Sequence, residues 1–514
     1  MSSGATAQDG LHTVARWIGD RAAVDPDRVA VDDGTGRVTY GELDARCAHL
    51  AAVMVAAGMR PGDRIATLTV NSTDHVVAFF ACARARLALV PLSWRLSPRE
   101  VADQLRHCEA GLLLVQSGCA NLAADAVARL DAPPPTERLG LDGIEARPAG
   151  PAPGAPVSDG DPLLIMYTSG TTGRPKGVVL TQANCFWTNL SLSRRVSLSA
   201  DDVVLSVLPQ FHVGGWNIQP LLAWWLGATV LLEPSFDAGR VLSLIATAGV
   251  TTMMGVPANY LFLAEHPEFA RVDMSRLRHA IAGGAAMPES LLRTWHARGV
   301  GLVQGYGLSE ASPNVLCLPD EDARRKAGYA GKPYPYVEVA VADLDTGAML
   351  DGAADGELLV RGPNVFSGYW RDPETTARAL RGGWLHTGDV VHRDAEGYFR
   401  IVDRADDMFI SGGENISPGE VENVLYRHPA VAEAAVVGVP DPRWGQVGAA
   451  FVVRRAGCDV GAAELMEYCR AELAHFKVPR SVDFVESLPH SAVGKLLRRE
   501  LRPAAEHASA GRTK

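Results

Sequence analysis

Apolar and polar positions along the 514-residue chain fall into short blocks whose spacing changes from one region to the next. In the N-terminal part, apolar runs of strand length such as RIATLTV alternate with stretches of helical period such as YGELDARCAHLAAVMVAAG, the rhythm of a layered α/β fold. Between Ala132 and Pro162 the text turns to APPP and PAGPAPGAPVSDGDP, which predicts a surface connection. LLIMYTSG then predicts a strand running straight into a glycine-rich loop. VVLSVLP, TTMMGVP, LRHAIAGGA and GLVQGYG repeat that strand-like signal, with VLSLIATAGV and ESLLRTWHARG reading as helices between them. Several of these strands end in small-residue loops, and in open α/β sheets ligands bind at the carboxyl ends of strands.

From Val337 the helical period fades and β-like segments dominate (VEVAVADLDTG, GELLVRG, GYFRIVDRADD). From about Asp407 the α/β pattern restarts (SPGEVENVLYRHP, VAEAAVVGVP, AAFVVRR, GAAELMEYCRAEL, SVDFVESLP) and predicts a separate C-terminal domain of about a hundred residues. No internal repeat is evident, and the tail AAEHASAGRTK reads as disordered.

Composition narrows the class. Hydrophobic residues make up 47 % and charged residues 21 %, as in an ordinary globular protein. A net charge of −10, from 49 basic and 59 acidic side chains, argues against nucleic acid as a partner, because phosphate backbones need a basic face. The 8 cysteines show neither CxxC nor zinc-like spacing, which predicts reduced, mostly buried thiols. The N-terminus lacks the basic-then-apolar pattern of a signal peptide, and the most apolar stretches, Val76 to Leu92 with its two arginines and the short Leu221 to Leu232, do not suit a bilayer. A cytoplasmic protein without membrane insertion is the expectation.

The densest candidate chemistry lies in YTSGTTGRPKG, Tyr167 to Gly177. Backbone N–H groups of such a loop can converge on a phosphate, the hydroxyls add donors, and Lys176 supplies a point charge. The P-loop pattern G-x-x-x-x-G-K-[ST] is not met, since Lys176 follows Pro175 and Gly494–Lys495 is followed by Leu496. On these residues alone, a phosphate grip and a flexible surface turn both stand.

The stretch resembles, almost letter for letter, the signature loop of the adenylate-forming superfamily, which includes acyl- and aryl-CoA synthetases, luciferases and the adenylation domains of peptide synthetases. FHVGGW, AGGA, QGYGLSE, GELLVRG, GWLHTGD, GYFRIVDRADDMFISGGENISPGEVE and LPHSAVGKLLRREL match the same superfamily in the same order across nearly the whole chain. The resemblance implies a large N-terminal domain of layered α/β sheets with a small β-barrel-like part, residues 1–405, and a small mobile α+β C-terminal domain, residues 406–514. It implies ATP-dependent activation of a carboxylic acid to an acyl-adenylate with release of pyrophosphate, then transfer to coenzyme A. ATP, Mg²⁺ and coenzyme A follow as cofactor and co-substrates. Many relatives are dimers, but no interface can be read from one chain.

Carried over residue by residue, the resemblance implies that Thr168, Ser169, Gly170, Thr171, Thr172 and Lys176 wrap the β- and γ-phosphates. Gly283, Gly284, Ala285, Tyr306 and Gly307 would receive adenine, with the Tyr306 ring as a flat face; Asp389 would accept the ribose hydroxyls, and Arg404 would reach ribose and phosphates. Glu310 would hold Mg²⁺, and Ser309, where many relatives carry threonine, would bond the α-phosphate. Lys495 would bridge the acid's carboxylate and the α-phosphate where charge builds in the transition state. Asp406 falls at the hinge about which the small domain turns between half-reactions, bringing Ser411, Gly412, Gly413 and Glu414 towards the thioester site.

The acid itself is not named by these residues. His212 matches a histidine beside the substrate carboxylate, and Trp216 stands where some fatty acyl-CoA synthetases have a tunnel gate, although a core tryptophan fits the apolar LLAWW context equally. Gly214 and Gly215 could leave room for a ring or an alkyl chain. Gly255, Val256, Asn259, Gly305 and Leu308, with Pro313, are expected on the pocket walls, and none is an aspartate that would recognise an α-amino group. Fatty acids of medium to long chain stand slightly ahead of aromatic acids. Transfer to a carrier-protein thiol or an amine, activation of a small oxyacid such as nitrous acid, and a catalytically silent ATP-binding regulator remain as alternatives.

Overall fold

The computed structural model describes residues 10–154, 156–168, 175–285, 287–404, 407–411, 414–441, 444–490, 496–501, 503 and 505, with the backbone alone at Arg404, Glu414 and Asn415. The segments at 169–174, 405–406, 412–413, 491–495 and 506–514 therefore lie outside the description. With them lie Ser169, Gly170, Thr171, Thr172, Asp406, Gly412, Gly413 and Lys495, and most of the tail expected to be disordered.

Two large sheets carry the N-terminal part. A seven-stranded sheet has the order Gly368–Tyr369, Lys176–Thr181, Pro162–Thr168, Ala88–Leu92, Arg64–Leu68, Leu112–Val115, Thr136–Arg138. A nine-stranded sheet has parallel pairing from Leu302–Gly307 through His279–Ala282, Thr252–Gly255, Val203–Ser206 and Thr229–Leu232 to Val29–Asp32, with antiparallel strands at both ends. Helix Thr73–Ala85, almost wholly buried, sits in the main core: the Phe79 ring stacks on Trp216, and Phe80 meets Trp224 edge-on. An all-round apolar helix is stable only when covered on every side. The apolar stretch from Val76 to Leu92 is split at Arg86, whose left-handed backbone (φ 59°) ends the helix before strand Ala88–Leu92 begins. Among the described residues no helix is long and apolar enough to cross a membrane.

The Pro/Gly-rich connection does more than loop across the surface. Thr136–Arg138 adds a parallel strand to the edge of the seven-stranded sheet, and the turn Ile144–Ala146 buries Glu145 against Arg46, with bonds of 2.7 and 2.9 Å. A buried ion pair of this kind pins a segment whose composition carries no strand signal of its own.

The β-like region after Val337 forms a five-stranded antiparallel sheet, Met349–Leu350, Glu338–Ala342, Ala354–Arg361, Leu385–Arg393 and Phe399–Arg404 in spatial order. Beyond it, strands Glu414–Ile416, Phe409–Ser411, Gly445–Arg454 and Val431–Asp441 form a further sheet, which Ser481–Phe484 joins in parallel, with a core of its own that includes Val421, Leu425, Val436, Leu465 and Val482. All eight thiols are unpaired, and of these only Cys458 is exposed.

Candidate active site

The parallel strands His279–Ala282 and Leu302–Gly307 end side by side and deliver the AGGA and QGYGLSE loops to one place. Glycine is required at Gly307 for space and suits Gly284 for rotation, while at Gly283 a side chain would displace the end of Met254. A Cβ on Gly283 would lie 2.8 Å from Met254 Cε, one on Gly307 would lie 1.5 Å from the Pro313 carbonyl oxygen, and Gly284 has φ +80°. Val256 lies across from Gly284, with its Cγ1 3.5 Å from where a Cβ would stand.

Tyr306 on this strand end donates its hydroxyl to Oδ2 of Asp389, in the neighbouring antiparallel sheet. Asp389 is buried, and its own N–H donates to Thr387 Oγ1 at 3.0 Å, whose hydroxyl in turn donates to the Leu358 carbonyl at 2.7 Å. Its strand pairs with Phe399–Arg404 so that Asp389 and Arg404 are directly opposite. Three sequence-predicted residues, Tyr306, Asp389 and Arg404, are thus brought together from two sheets, with the Arg404 backbone as the described part.

Glu310 follows in the short turn Ser309–Ala311, half-buried beside Ser309. Its Oε1 accepts from the Tyr369 hydroxyl at 2.9 Å, and its carbonyl accepts from the Phe366 N–H at 2.8 Å. Lys176, the first residue of strand Lys176–Thr181, places Nζ 5.1 Å from the centre of the same Tyr369 ring. Thr168 closes the preceding strand directly opposite Lys176. Tyr167 faces elsewhere: its hydroxyl meets His107 Nδ1 at 2.7 Å and the Gln104 carbonyl at 3.3 Å, which anchors the base of the loop.

His212, expected beside the acid, comes from a different loop. His212 follows strand Val203–Ser206 in a turn held by Asn71, whose amide donates to the carbonyls of Leu208 at 2.9 Å and Glu233 at 3.0 Å, and whose Oδ1 accepts from the Gln210 N–H at 2.8 Å. Sequence reasoning missed Asn71; its signal was a polar residue set between an apolar strand and an apolar helix in TLTVNSTDH. Burial, and then the positive charge of Arg95, hold the His212 pKa down to about 4, so the ring is neutral near pH 7. Its Nε2 is buried and has no hydrogen-bond partner among the described residues. Ser206, Leu208, Gly214, Ile218, Gln219 and Met254 line a narrow cleft near this turn, too tight to admit a water-sized molecule.

Several expected wall residues make contacts within the scaffold. Trp216 is 0 % exposed, stacks on Phe79 at 4.6 Å, meets His75 edge-on at 5.0 Å and donates its indole N–H to the Gln210 carbonyl at 2.6 Å. That is a core tryptophan with its polar atom satisfied. A Cβ on Gly215 would stand 2.4 Å from the Pro209 carbonyl oxygen, so this glycine serves a close backbone approach. Asn259 turns its Oδ1 back to accept from the Val256 N–H at 2.9 Å, capping the helix Pro257–Glu265. Gly255 abuts Asn259 and Tyr260, Gly305 lies under Leu316, and Leu308 packs on the main core. Ser411 is buried in the C-terminal sheet, paired with Glu414 across a hairpin and with Gly445 on its other side.

Comparison with known proteins matches residues 18–370 to the AMP-binding enzyme family and residues 420–495 to the AMP-binding enzyme C-terminal domain. The chain belongs to this family. Within it the acyl- and aryl-CoA ligases are similar over nearly their full length. A feruloyl-CoA synthase of Amycolatopsis sp is 42% identical, with 95% of this chain and 98% of the relative covered. A long-chain-fatty-acid–CoA ligase of Mycobacterium tuberculosis is 37% identical over 96% of this chain and 98% of its own. The crystal structure of an anthranilate CoA ligase in complex with anthranoyl-AMP superposes with a TM-score of 0.91 at 27% identity, covering 97% of this chain and 98% of that one.

Proposed function

We propose that the protein joins a compact carboxylic acid, aryl-bearing rather than long-chain, to coenzyme A through an acyl-adenylate. In the first step a carboxylate oxygen attacks the α-phosphorus of ATP, the bond to the β-phosphate oxygen breaks, and pyrophosphate leaves. In the second, the thiol of coenzyme A loses its proton and attacks the acyl carbon, and AMP leaves. The neutral, buried imidazole of His212, with Nε2 lacking a partner among the described residues, is the observation that carries the acid-binding half of this reading. A dry, neutral ring can hold a carboxylate oxygen by a hydrogen bond without adding a competing charge, and a hydrogen bond in such surroundings is stronger than in water.

On the nucleotide side, Asp389 would take the ribose hydroxyls while Tyr306 and the glycines at 283, 284 and 307 frame adenine. Thr168 and Lys176, with Ser169 to Thr172, would hold the departing pyrophosphate, and Ser309 and Arg404 the α-phosphate. Lys495 would stabilise the charge shared between the two reacting oxygens. Asp406 as hinge and Ser411 to Glu414 as the approach to the thiol complete the assignment, with the domain boundary between residues 405 and 406. Magnesium usually keeps waters and takes one or two carboxylates together with phosphate oxygens, and the half-buried Glu310 carboxylate, already oriented by Tyr369, suits that donor set. When bound, the ion would neutralise phosphate charge.

The preference for a compact acid rests on Trp216. The sequence favours a fatty chain slightly and leaves Trp216 open between a tunnel gate and a core residue. Its stacking on Phe79 and its bond to Gln210 support a fixed core role instead. The test is acid-dependent pyrophosphate release and acyl-CoA formation over a panel of hydroxycinnamic, benzoic, indole-bearing and long-chain acids. Thioester formation with the aryl acids and little with the fatty ones is the expected result; equal turnover without coenzyme A, or a preference for long chains, would overturn it.

A further inference from the structure

The segment NVFSGYWRDPETT, Asn364 to Thr376, was given no role by the sequence, yet it runs between the two charged residues of the phosphate side. Strand Gly368–Tyr369 pairs antiparallel with Lys176–Thr181, with Tyr369 opposite Val178, and the Trp370 N–H donates to the Gly177 carbonyl at 2.7 Å. Asn184, in the helix that follows, donates to the carbonyls of Pro363 and Val365, both at 2.9 Å. The Tyr369 N–H is taken by Thr376 Oγ1 at 2.9 Å, and Phe366 lies edge-on to the Tyr369 ring at 4.9 Å while its own N–H donates to the Glu310 carbonyl at 2.8 Å. Tyr369 is therefore fixed from its backbone to its ring. From that position its hydroxyl donates to Glu310 Oε1 at 2.9 Å, and its ring face lies 5.1 Å from Lys176 Nζ.

We infer that Tyr369 is a positioning residue that sets the Glu310 carboxylate for the divalent cation and the Lys176 ammonium for the triphosphate before either arrives. The inference rests on the roles proposed above for Glu310 and Lys176. A donated hydrogen bond favours the ionised carboxylate and fixes its orientation, as outer partners of metal ligands commonly do. The ring face attracts the lysine cation while leaving its N–H donors to others. One rigid side chain thus couples two groups that approach the phosphates from different sheets.

The test is calorimetric binding of ATP to the full chain without acid, over a series of Mg²⁺ concentrations, with AMP as the control that has neither β- nor γ-phosphate. Tyr369→Phe, which keeps the ring and drops the hydroxyl, should raise the Mg²⁺ concentration for half-maximal ATP binding by about 10-fold and leave AMP binding unchanged. Tyr369→Leu should weaken ATP binding further, even without Mg²⁺, again sparing AMP. An unchanged Mg²⁺ requirement in Tyr369→Phe, or an equal loss for AMP and ATP, would overturn the inference. Glu310→Gln separates the two claims: if it too leaves the Mg²⁺ requirement unchanged, the reading of Glu310 falls; if it raises the requirement and Tyr369→Phe does not, the role of Tyr369 alone falls.

Discussion

The two halves of the candidate site are built on opposite principles. On the proposed nucleotide side each carboxylate already has a tyrosine: Tyr306 donates to Asp389 and Tyr369 to Glu310, so both acids are oriented by residues from another sheet. On the proposed acid side the central group, His212, has its backbone turn fixed by Asn71 while its Nε2 has no partner among the described residues. The difference is one of invariance. ATP is the same in every turnover, so its partners can be pre-set; pre-organised groups need no rearrangement when the ligand arrives. The acid is what varies between relatives, and the structure invests there in the position of one ring rather than in a set of polar contacts.

The comparison breaks first if Trp216 belongs to a moving gate. As part of the fixed scaffold behind His212, Trp216→Ala should cost about 3–5 kcal/mol of stability and depress turnover of all acids alike. Thermal or denaturant unfolding beside an acid panel checks this, and a variant of unchanged stability with new long-chain activity would point to a gate. Next in size, Lys495→Ala should slow adenylate formation by about 100- to 1000-fold while largely sparing thioester formation from a supplied acyl-adenylate. Single-turnover assays of the two steps decide it, and equal loss of both would remove the separation of roles. Tyr306→Phe tests the pre-set carboxylate. It should weaken AMP and ATP equally, by about 10-fold, without altering the KM ranking of acids.

The smallest effect expected is on acid stability. Burial lowers the pKa of His75 to about 3 and that of His212 to about 4, against an ordinary value of 6.5. Both folded values lie below the unfolded one, so the unfolded chain binds more protons on acidification. The stability that comes from keeping these rings neutral is fully present above about pH 6.5 and is lost as pH falls towards 4 and below. Melting temperature against pH should fall over that window, and His75→Gln, less stable at pH 7, should show a shallower slope.

Much of this was legible in the sequence. The glycine turns of AGGA and QGYG are expected at strand ends, and they stand at the ends of strands His279–Ala282 and Leu302–Gly307. The layered pattern and the β-rich stretch after Val337 appear as the two large sheets and the antiparallel one. What was not legible is pairing across sheets. Nothing in the spacing of Tyr369, Glu310 and Lys176 places them together, because their contact depends on a two-residue edge strand joining the far end of another sheet. Gly215 and Asn259 show the same limit: a close backbone approach at one and a helix cap at the other are contacts visible only when the chain is folded.

The most direct test of the two-sided account is a crossed measurement on Asp389→Asn and His212→Ala, reading nucleotide affinity by calorimetry and acid kcat/KM by pyrophosphate release. The account predicts that Asp389→Asn weakens ATP and AMP binding while the KM for acid holds, and that His212→Ala lowers acid kcat/KM while ATP binding holds. If His212→Ala weakens ATP binding as much as Asp389→Asn does, or if Asp389→Asn leaves nucleotide binding intact, the division of the site into a pre-set nucleotide half and an open acid half is wrong.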